Sequence, residues 1–491
     1  MSKQTSPALY AAILAGGSGQ RFWPLSRELN PKQLLSVFGT ESLIAQAVHR
    51  ILPFTASGPS GVRIVTNERL FDELRNHLTA QDDIALHNLE YLLEPAPRNT
   101  APAIALAAAT LELEDPEAIM VVLPSDHLLE DSQVWADALE SASSLAREGY
   151  LVTIGITPAR PETGYGYIRS GEALPEHDRG SARALKAAEF VEKPDEARAV
   201  SFVESGQHFW NAGIFVMGAT VVLDELSATD EDGARIAEVC RWLASQPRDT
   251  WEDEEARGRF EALPSVSIDT AVMERSSRVA VIRAPLHWSD VGSLLSLEDV
   301  AEPDECGNVR VGRGVDIGSS NSIVYSTDRL VATLGVDDLV IVDTSDATLV
   351  CRKDRVQDVR LVVEALKAIG AEEVTQPKVS MRPWGSWTSL LKTDYSQIKL
   401  LEVKPGMKLS LQRHHHRAEH WIVVAGTAMV TRDEEEVEVH VNESIFIPMG
   451  TTHRLENCGR VRLKVIEVQV GEYLGEDDIV RIEDDWERDK R

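Results

Sequence analysis

Ile13-Leu14-Ala15-Gly16-Gly17-Ser18-Gly19-Gln20-Arg21, continued by Pro24-Leu25-Ser26-Arg27 and Pro31-Lys32-Gln33, is the stretch on which the reading of this chain turns. It follows an apolar run over 8–14 with the composition of a buried strand. Glycines at 16, 17 and 19 let the backbone turn sharply and approach a ligand with no Cβ in the way. Successive backbone N–H groups in such a turn can face an anion. Arg21 and Lys32 add a planar fork and a point charge. A polyphosphate is the simplest ligand for that set. The glycines alone do not choose among loops. A dinucleotide fingerprint needs a glycine where Phe22 stands, a P-loop needs Gly-Lys-Ser/Thr, and a plain strand-to-helix turn needs only the glycines.

The 491 residues are too many for one core and predict two or three domains. A net charge of −29 argues against general nucleic-acid binding and against docking on anionic membranes. Anionic substrates then require local cations or metal ions. Cys240, Cys306, Cys351 and Cys458 are far apart and form no CxxC pair, which predicts free thiols in a reducing compartment. The 8–15 run reads as a first strand rather than a leader, because only Lys3 precedes it and it feeds the glycine loop. No run of about 18 apolar residues is present, so no membrane span is expected and the cytoplasm is the expected location.

Up to about residue 290, short apolar runs (61–66, 118–123, 150–156, 279–283) alternate with helical stretches (100–114, 135–148). That is the pattern of an α/β sheet, whose ligands sit beyond the carboxyl ends of the strands. Three groups of motifs fall there. Leu92-Leu93-Glu94-Pro95-Ala96-Pro97-Arg98-Asn99-Thr100-Ala101-Pro102 is a proline-rich loop with Thr100 as the expected helix N-cap. Pro124-Ser125-Asp126-His127 and Trp288-Ser289-Asp290-Val291-Gly292 each put an aspartate just past a strand, where it is a solvated cap or a Mg²⁺ ligand. Gly164-Tyr165-Gly166, Phe190-Val191-Glu192-Lys193-Pro194 and Trp210-Asn211-Ala212-Gly213 complete the set. Glu192 and Lys193 would face opposite ways on a strand, so a bend at Pro194 is expected to bring both to one site.

The glycine stretch resembles the signature of sugar-nucleotide pyrophosphorylases, and the later motifs narrow this to GDP-mannose pyrophosphorylases. The resemblance implies that Gly16, Gly17, Ser18, Gly19, Glu94, Asn99 and Thr100 hold the nucleotide. It assigns Arg21 and Lys32 to the triphosphate, and Asp126 and Asp290 to the catalytic Mg²⁺. It assigns Lys193 to a sugar 1-phosphate, and Gly164, Tyr165, Glu192 and Asn211 to the sugar. Residues 224–262 read as exposed helices without chemistry.

From 303 to 350, closely spaced β-like runs (308–311, 322–325, 330–334, 339–342, 348–351) suggest a small stacked, β-helical unit. A helix over 354–369 and a linker over 371–380 follow, and no catalytic constellation is seen between 295 and 380. Beyond Arg382 the chain is β-rich. Gly406, Gln412, His414, Glu419 and Gly426, then Pro448, His453 and Asn457, resemble both halves of the cupin motif, with Asn442 at the usual second glycine. Gln412 and His414 share a strand face and Glu419 follows a bend, so Gln412, His414, Glu419 and His453 form a candidate Zn²⁺ site. His414, His416 and Glu419 also fit; Gly406 in register favours the first set. The set resembles zinc-dependent phosphomannose isomerases. Arg417, His420, Lys408 and Arg454 are the nearby candidates for an isomerase base, and the sequence does not choose among them.

Nearly the whole chain thus resembles the bifunctional mannose-6-phosphate isomerase/mannose-1-phosphate guanylyltransferase family. The expected fold is α/β: a Rossmann-like, mixed-sheet nucleotidyltransferase domain over 1–300, a β-helix-like region with helix and linker over 301–380, and a β-barrel cupin over 381–491. The implied substrates are GTP and mannose 1-phosphate, then mannose 6-phosphate and fructose 6-phosphate. A dimer is the expected assembly. The competing expectations are a transferase whose cupin has lost isomerase activity and serves as a dimerisation or regulatory domain, a different sugar or base, and a non-catalytic sugar-nucleotide-binding module.

Overall fold

In the computed structural model, which describes residues 9–17, 19–55, 58–81 and 83–483, the apolar run before the glycine loop is an interior strand of a sheet. The elements are β1 (Leu9–Leu14), β2 (Val62–Asn67), β3 (Glu90–Glu94), β4 (Ile119–Pro124), β5 (Leu128–Leu129), β6 (Leu151–Ile156), β7 (Tyr167–Ala173), β8 (Arg183–Val191), β9 (His208–Gly218), β10 (Val279–Arg283) and β11 (Trp288–Ser289). Nine of them form one sheet in the order β3-β2-β1-β4-β9-β6-β10-β8-β7. β1 to β4 are mutually parallel, β6 and β10 are parallel, and β9 runs antiparallel between β4 and β6. Alternate residues of β1 feed two cores, Ala11 and Ile13 on one face and Ala12 on the other.

The second core corrects one expectation. Helix Thr100–Glu114 has Ala101 to Leu111 buried, because helices Ala219–Thr229 and Glu231–Ala244 cover the side away from the sheet. Ile236, Ala237, Cys240, Leu243, Trp251 and Phe260 are therefore core residues, and 224–262 is not an exposed segment. The many charges there occupy one face and mask an apolar stripe of helical period.

The middle unit is β-helical. Strands Val309–Val311, Ile323–Ser326 and Leu339–Asp343 stack in parallel, and Thr348–Arg352 closes the stack antiparallel. A second face pairs Gly314–Ile317 with Val331–Leu334. Ser320 bonds Asp337 and Asn321 bonds Asp338, each 17 residues on, which is one coil. The expected 354–369 helix is a 3₁₀ turn (Lys353–Asp358) followed by α-helix Val359–Ala368.

The C-terminal unit is two antiparallel sheets of six and five strands. Trp387, Leu401, Trp421, Val430, Leu455 and Val465 form the core between them. Gly406 and Asn442 have φ of +74° and +69°, so the asparagine does take a glycine-like turn. No helix among the described residues is long and apolar enough to cross a membrane.

Candidate functional site

The glycine loop is held by side chains of its own signature. Gln33 donates to the carbonyls of Ala15 and Gly17, both at 3.1 Å, and Ser26 donates to that of Gly19 at 2.7 Å. The N–H groups of Gly16 and Gly17 make no hydrogen bond among the described residues. The loop therefore turns its carbonyls inward and keeps donors free for an anion. Gly19 has φ +60°, and a Cβ there would stand 2.5 Å from that of Lys32. Ser18 lies outside the described residues.

Glu94 ends β3 beside this loop, with its carboxylate 3.6 Å from where a Gly16 Cβ would be. It is buried and its Oε1 has no hydrogen-bond partner among the described residues. Burial pushes its carboxyl up to about 8. Asn99, not Thr100, is the N-cap of the next helix: Asn99 accepts from the Thr100 N–H at 2.8 Å. Thr100 instead accepts the Ile268 N–H at 2.9 Å.

Asp126 and Asp290 meet because β11 pairs with β5, Trp288 opposite Leu129 and Ser289 opposite Leu128. Both line a cleft of about 410 Å³ together with Gly19, Arg21, Lys32, His127, Gly292 and Arg360. Val291 has φ +47°, a strained value for a β-branched residue. Lys32 holds that strain, donating to the carbonyls of Asp290 (2.8 Å) and Val291 (2.9 Å). Its Nζ also pairs with Asp126 at 2.7 Å. All three ammonium donors are thus engaged. Lys32, expected at the triphosphate, is buried, lines the cleft and fixes the two aspartates. Burial alone would raise the Asp126 carboxyl; Lys32 and His127 more than offset this and hold it below its ordinary value. Two carboxylates at the end of a cleft of this size fit Mg²⁺, which takes one or two carboxylates plus substrate phosphates.

The sugar-side residues form a neighbouring group. Tyr165 donates to Asp290 Oδ1 at 2.6 Å. Its ring packs edge-on against Trp210 and Trp288. β8 stops at Val191, and Lys193 at φ +47° turns back so that its Nζ lies 3.2 Å from Glu192 Oε1. The bend thus falls at Lys193 itself. Gly166 makes room, since a Cβ there would stand 2.6 Å from Glu192 Oε2. Gly164 is exposed and donates to Glu162 at 3.2 Å. Asn211 accepts from Thr153 and Gly213 and donates to Asp269 at 2.8 Å. Its amide oxygen is therefore committed, and Asp269 is a carboxyl the sequence reading missed. Burial, then Glu192, pushes Asp269 up to about 6. It begins a single π-helical turn (Asp269–Met273), which no periodic pattern in the sequence announces.

In the cupin, strand Leu411–His414 and strand Arg417–Ala425 bring His414 Nε2 to 3.0 Å from Glu419 Oε1, and His453 Nε2 lies 3.6 Å from Glu419 Oε2. All three are buried, and their ligand atoms lie within 4.8 Å of one another. His453 Nδ1 faces the Thr451 carbonyl at 2.9 Å, which leaves the Nε2 lone pair inward. Nδ1 of His414 and Nε2 of His453 have no hydrogen-bond partner among the described residues. This donor set fits a divalent metal. Burial would raise Glu419, but His414, His453 and Arg417 hold it well below the usual carboxylate range. Gln412 pairs in register with His453 and lines a cavity together with Glu419. His416 does not: it is mostly exposed and its Nδ1 lies 2.7 Å from Asp478. Of the candidate bases, Arg417 lines the cavity with Glu467 and Gln469, whereas His420 bonds Ser444 and Arg454 pairs with Glu483.

Over 489 residues the chain is 43% identical to the mannose-1-phosphate guanylyltransferase of Escherichia coli K12, covering 98% of this chain and 99% of that one. The chain belongs to the mannose-1-phosphate guanylyltransferase/mannose-6-phosphate isomerase family. Another member of the family, the alginate biosynthesis protein AlgA of Pseudomonas aeruginosa, is 44% identical over 481 residues, which is 97% of this chain and 96% of that protein. Three family descriptions match in series: Nucleotidyl transferase over 10–306, MannoseP isomerase/GMP-like beta-helix domain over 312–366, and Mannose-6-phosphate isomerase C-terminal over 370–484. A crystal structure from Thermus thermophilus, described as mannose-1-phosphate geranyltransferase, superposes with a TM-score of 0.63 at 32% identity. It covers 73% of this chain and 99% of that one.

Proposed function

We propose that the first of three units (1–300, 301–380, 381–491) transfers GMP from GTP to mannose 1-phosphate, giving GDP-mannose and pyrophosphate. The observation that carries this is Asp290, which lines the phosphate cleft and also receives the Tyr165 hydroxyl from the sugar side. A phosphate oxygen of mannose 1-phosphate attacks the α-phosphorus of GTP. Its second pKa is about 6, so it is already mostly dianionic and needs no general base. The work of the site is to align two polyanions. Glycine-loop N–H groups and Arg21 hold the triphosphate, Lys193 holds the sugar phosphate, and Lys32 keeps the aspartates in place. Mg²⁺ held by Asp126 and Asp290 would neutralise the phosphate charge that develops.

Lys193 is mostly exposed and poised on Glu192. Lys193→Ala is expected to raise KM for mannose 1-phosphate by about 10- to 100-fold, the worth of a charge-assisted hydrogen bond, with KM for GTP within about twofold. Initial-rate kinetics in both substrates measure this, and equal effects on the two would remove Lys193 from the sugar phosphate.

The guanine base is assigned to Glu94, whose carboxylate can accept from its N1–H and amino group. A carboxyl near 8 is mostly protonated at pH 6. Binding that needs the carboxylate then strengthens as pH rises, about tenfold per unit up to 8, and levels off above. In the free protein the sign is opposite: stability falls as pH rises from the unfolded carboxyl value toward 8. GTP titrations across pH 6–9 on wild type and Glu94→Gln check it; a pH dependence that survives in Glu94→Gln belongs to another group.

The cupin is proposed to interconvert mannose 6-phosphate and fructose 6-phosphate. A metal on His414, Glu419 and His453, with Gln412, would polarise the sugar carbonyl. Arg382, Lys399, Arg417 and Arg481 are the cations on the cavity wall, and Trp384 and Trp387 contribute apolar faces. The second reading is a guanylyltransferase whose cupin serves as a dimerisation or regulatory domain. A fructose 6-phosphate assay before and after chelation separates the two readings.

A further inference from the structure

We propose that Arg360, on the helix of the β-helical unit, binds the β- and γ-phosphates of GTP and the pyrophosphate they become. This rests on the guanylyltransferase reading above.

The nucleotide loop and the middle unit share one core. Phe22, Trp23 and Leu25 pack with Val291 and Leu294 and with Ile323, Val340, Val359 and Val363. Trp23 Nε1 donates to the Glu373 carbonyl at 3.1 Å, and buried Arg27 pairs with Asp346 at 2.9 Å. Helix Val359–Ala368 thus buries Val359 and Val363 against the loop, and Arg360, next to Val359, comes to line the cleft beside Arg21, Asp126 and Asp290.

The neighbouring cations have all found carboxylates. Arg352 pairs with Asp354, Lys353 with Glu298, Arg355 with Asp358 and Lys367 with Glu28. Arg360 and Arg21 have no ion-pair partner among the described residues, in a chain of net charge −29. A guanidinium presents a fork that matches phosphate oxygens.

The direction of transfer decides which phosphates these arginines meet. Lys193, Glu192, Asn211 and Asp269 do not line this cleft, and Tyr165 reaches Asp290 from their side. In an in-line displacement the nucleophile and leaving group lie on opposite sides of phosphorus. The bond from the mannose 1-phosphate oxygen to the α-phosphorus forms as the bond from that phosphorus to the α–β bridging oxygen breaks. The electron pair leaves on pyrophosphate, whose growing charge Arg360 and Arg21 face.

The test compares the full-length wild type with Arg360→Gln and Arg360→Lys in both directions, and titrates magnesium pyrophosphate into each protein without turnover. Arg360→Gln is expected to weaken pyrophosphate binding, and to lower kcat/KM for GTP, by about 10- to 100-fold. KM for mannose 1-phosphate stays within about twofold, and Arg360→Lys recovers part of the loss. Arg360 is exposed, so the melting temperature is unchanged. Wild-type pyrophosphate affinity in Arg360→Gln overturns the proposal. So does an equal rise in KM for mannose 1-phosphate, which would put Arg360 on the other side of the reaction. A wild type that releases no pyrophosphate overturns the guanylyltransferase reading and this proposal with it; an active wild type matched by Arg360→Gln overturns only this one.

Discussion

Asp290→Asn is expected to lower kcat for pyrophosphate release by about 10³-fold, equivalent to about 4 kcal/mol of transition-state stabilisation. The substitution is nearly isosteric. Its side-chain oxygen can still accept from Tyr165 and from the Gly292 N–H, and Lys32 still holds the Asp290 and Val291 carbonyls. What is lost is one of two negative charges that would hold a divalent cation between two polyanions. The loss belongs in kcat, because the charge matters most as the leaving group develops. Rates measured over a Mg²⁺ titration check it. A variant within tenfold of wild type at saturating Mg²⁺ would remove Asp290 from the chemistry.

The second large effect falls in the other half of the molecule. Glu419→Gln is expected to abolish isomerase turnover, by about 10³-fold or more, while GDP-mannose formation stays within about twofold. Glu419 is the hub of the cupin interior. It faces His414 and His453 and accepts from Arg417, Trp421 and Gln469. Losing its charge leaves the guanidinium of Arg417, itself buried, without a carboxylate at hydrogen-bond distance. Breaking a buried pair in this way costs about 3–5 kcal/mol, so the cupin also melts earlier. Calorimetry and metal analysis accompany the two assays. Bound metal and isomerase turnover at wild-type levels in Glu419→Gln would show that the cluster is not the isomerase centre.

The elements with continuous apolar runs between turn residues were legible in the sequence. Strand Val279–Arg283 and helix Thr100–Glu114 fall on the expected residues, and all five expected β runs of the middle unit are strands. Strand Gly314–Ile317 was not legible, because it is short and its apolar residues face out. Site residues next to glycines, prolines or a strand end were found by local pattern; those that act through distant partners were not. Lys32 has the composition of a phosphate ligand, and only the tertiary fold shows its donors spent on Asp126, Asp290 and Val291. Asp269 lies in an unpatterned segment and is brought to Asn211 across 58 residues. Arg360 comes from the region in which no chemistry was expected. The glycine stretch organises more of the chain than its motif implies, since Phe22, Trp23 and Leu25 found the core of the middle unit.

The most direct test of the account is one assay on the purified full-length protein with GTP, mannose 1-phosphate and Mg²⁺, following pyrophosphate and sugar nucleotide together. The account predicts equal amounts of pyrophosphate and GDP-mannose, formed only when both substrates and the cation are present. Pyrophosphate released without mannose 1-phosphate, or neither product formed from the complete mixture, would contradict it.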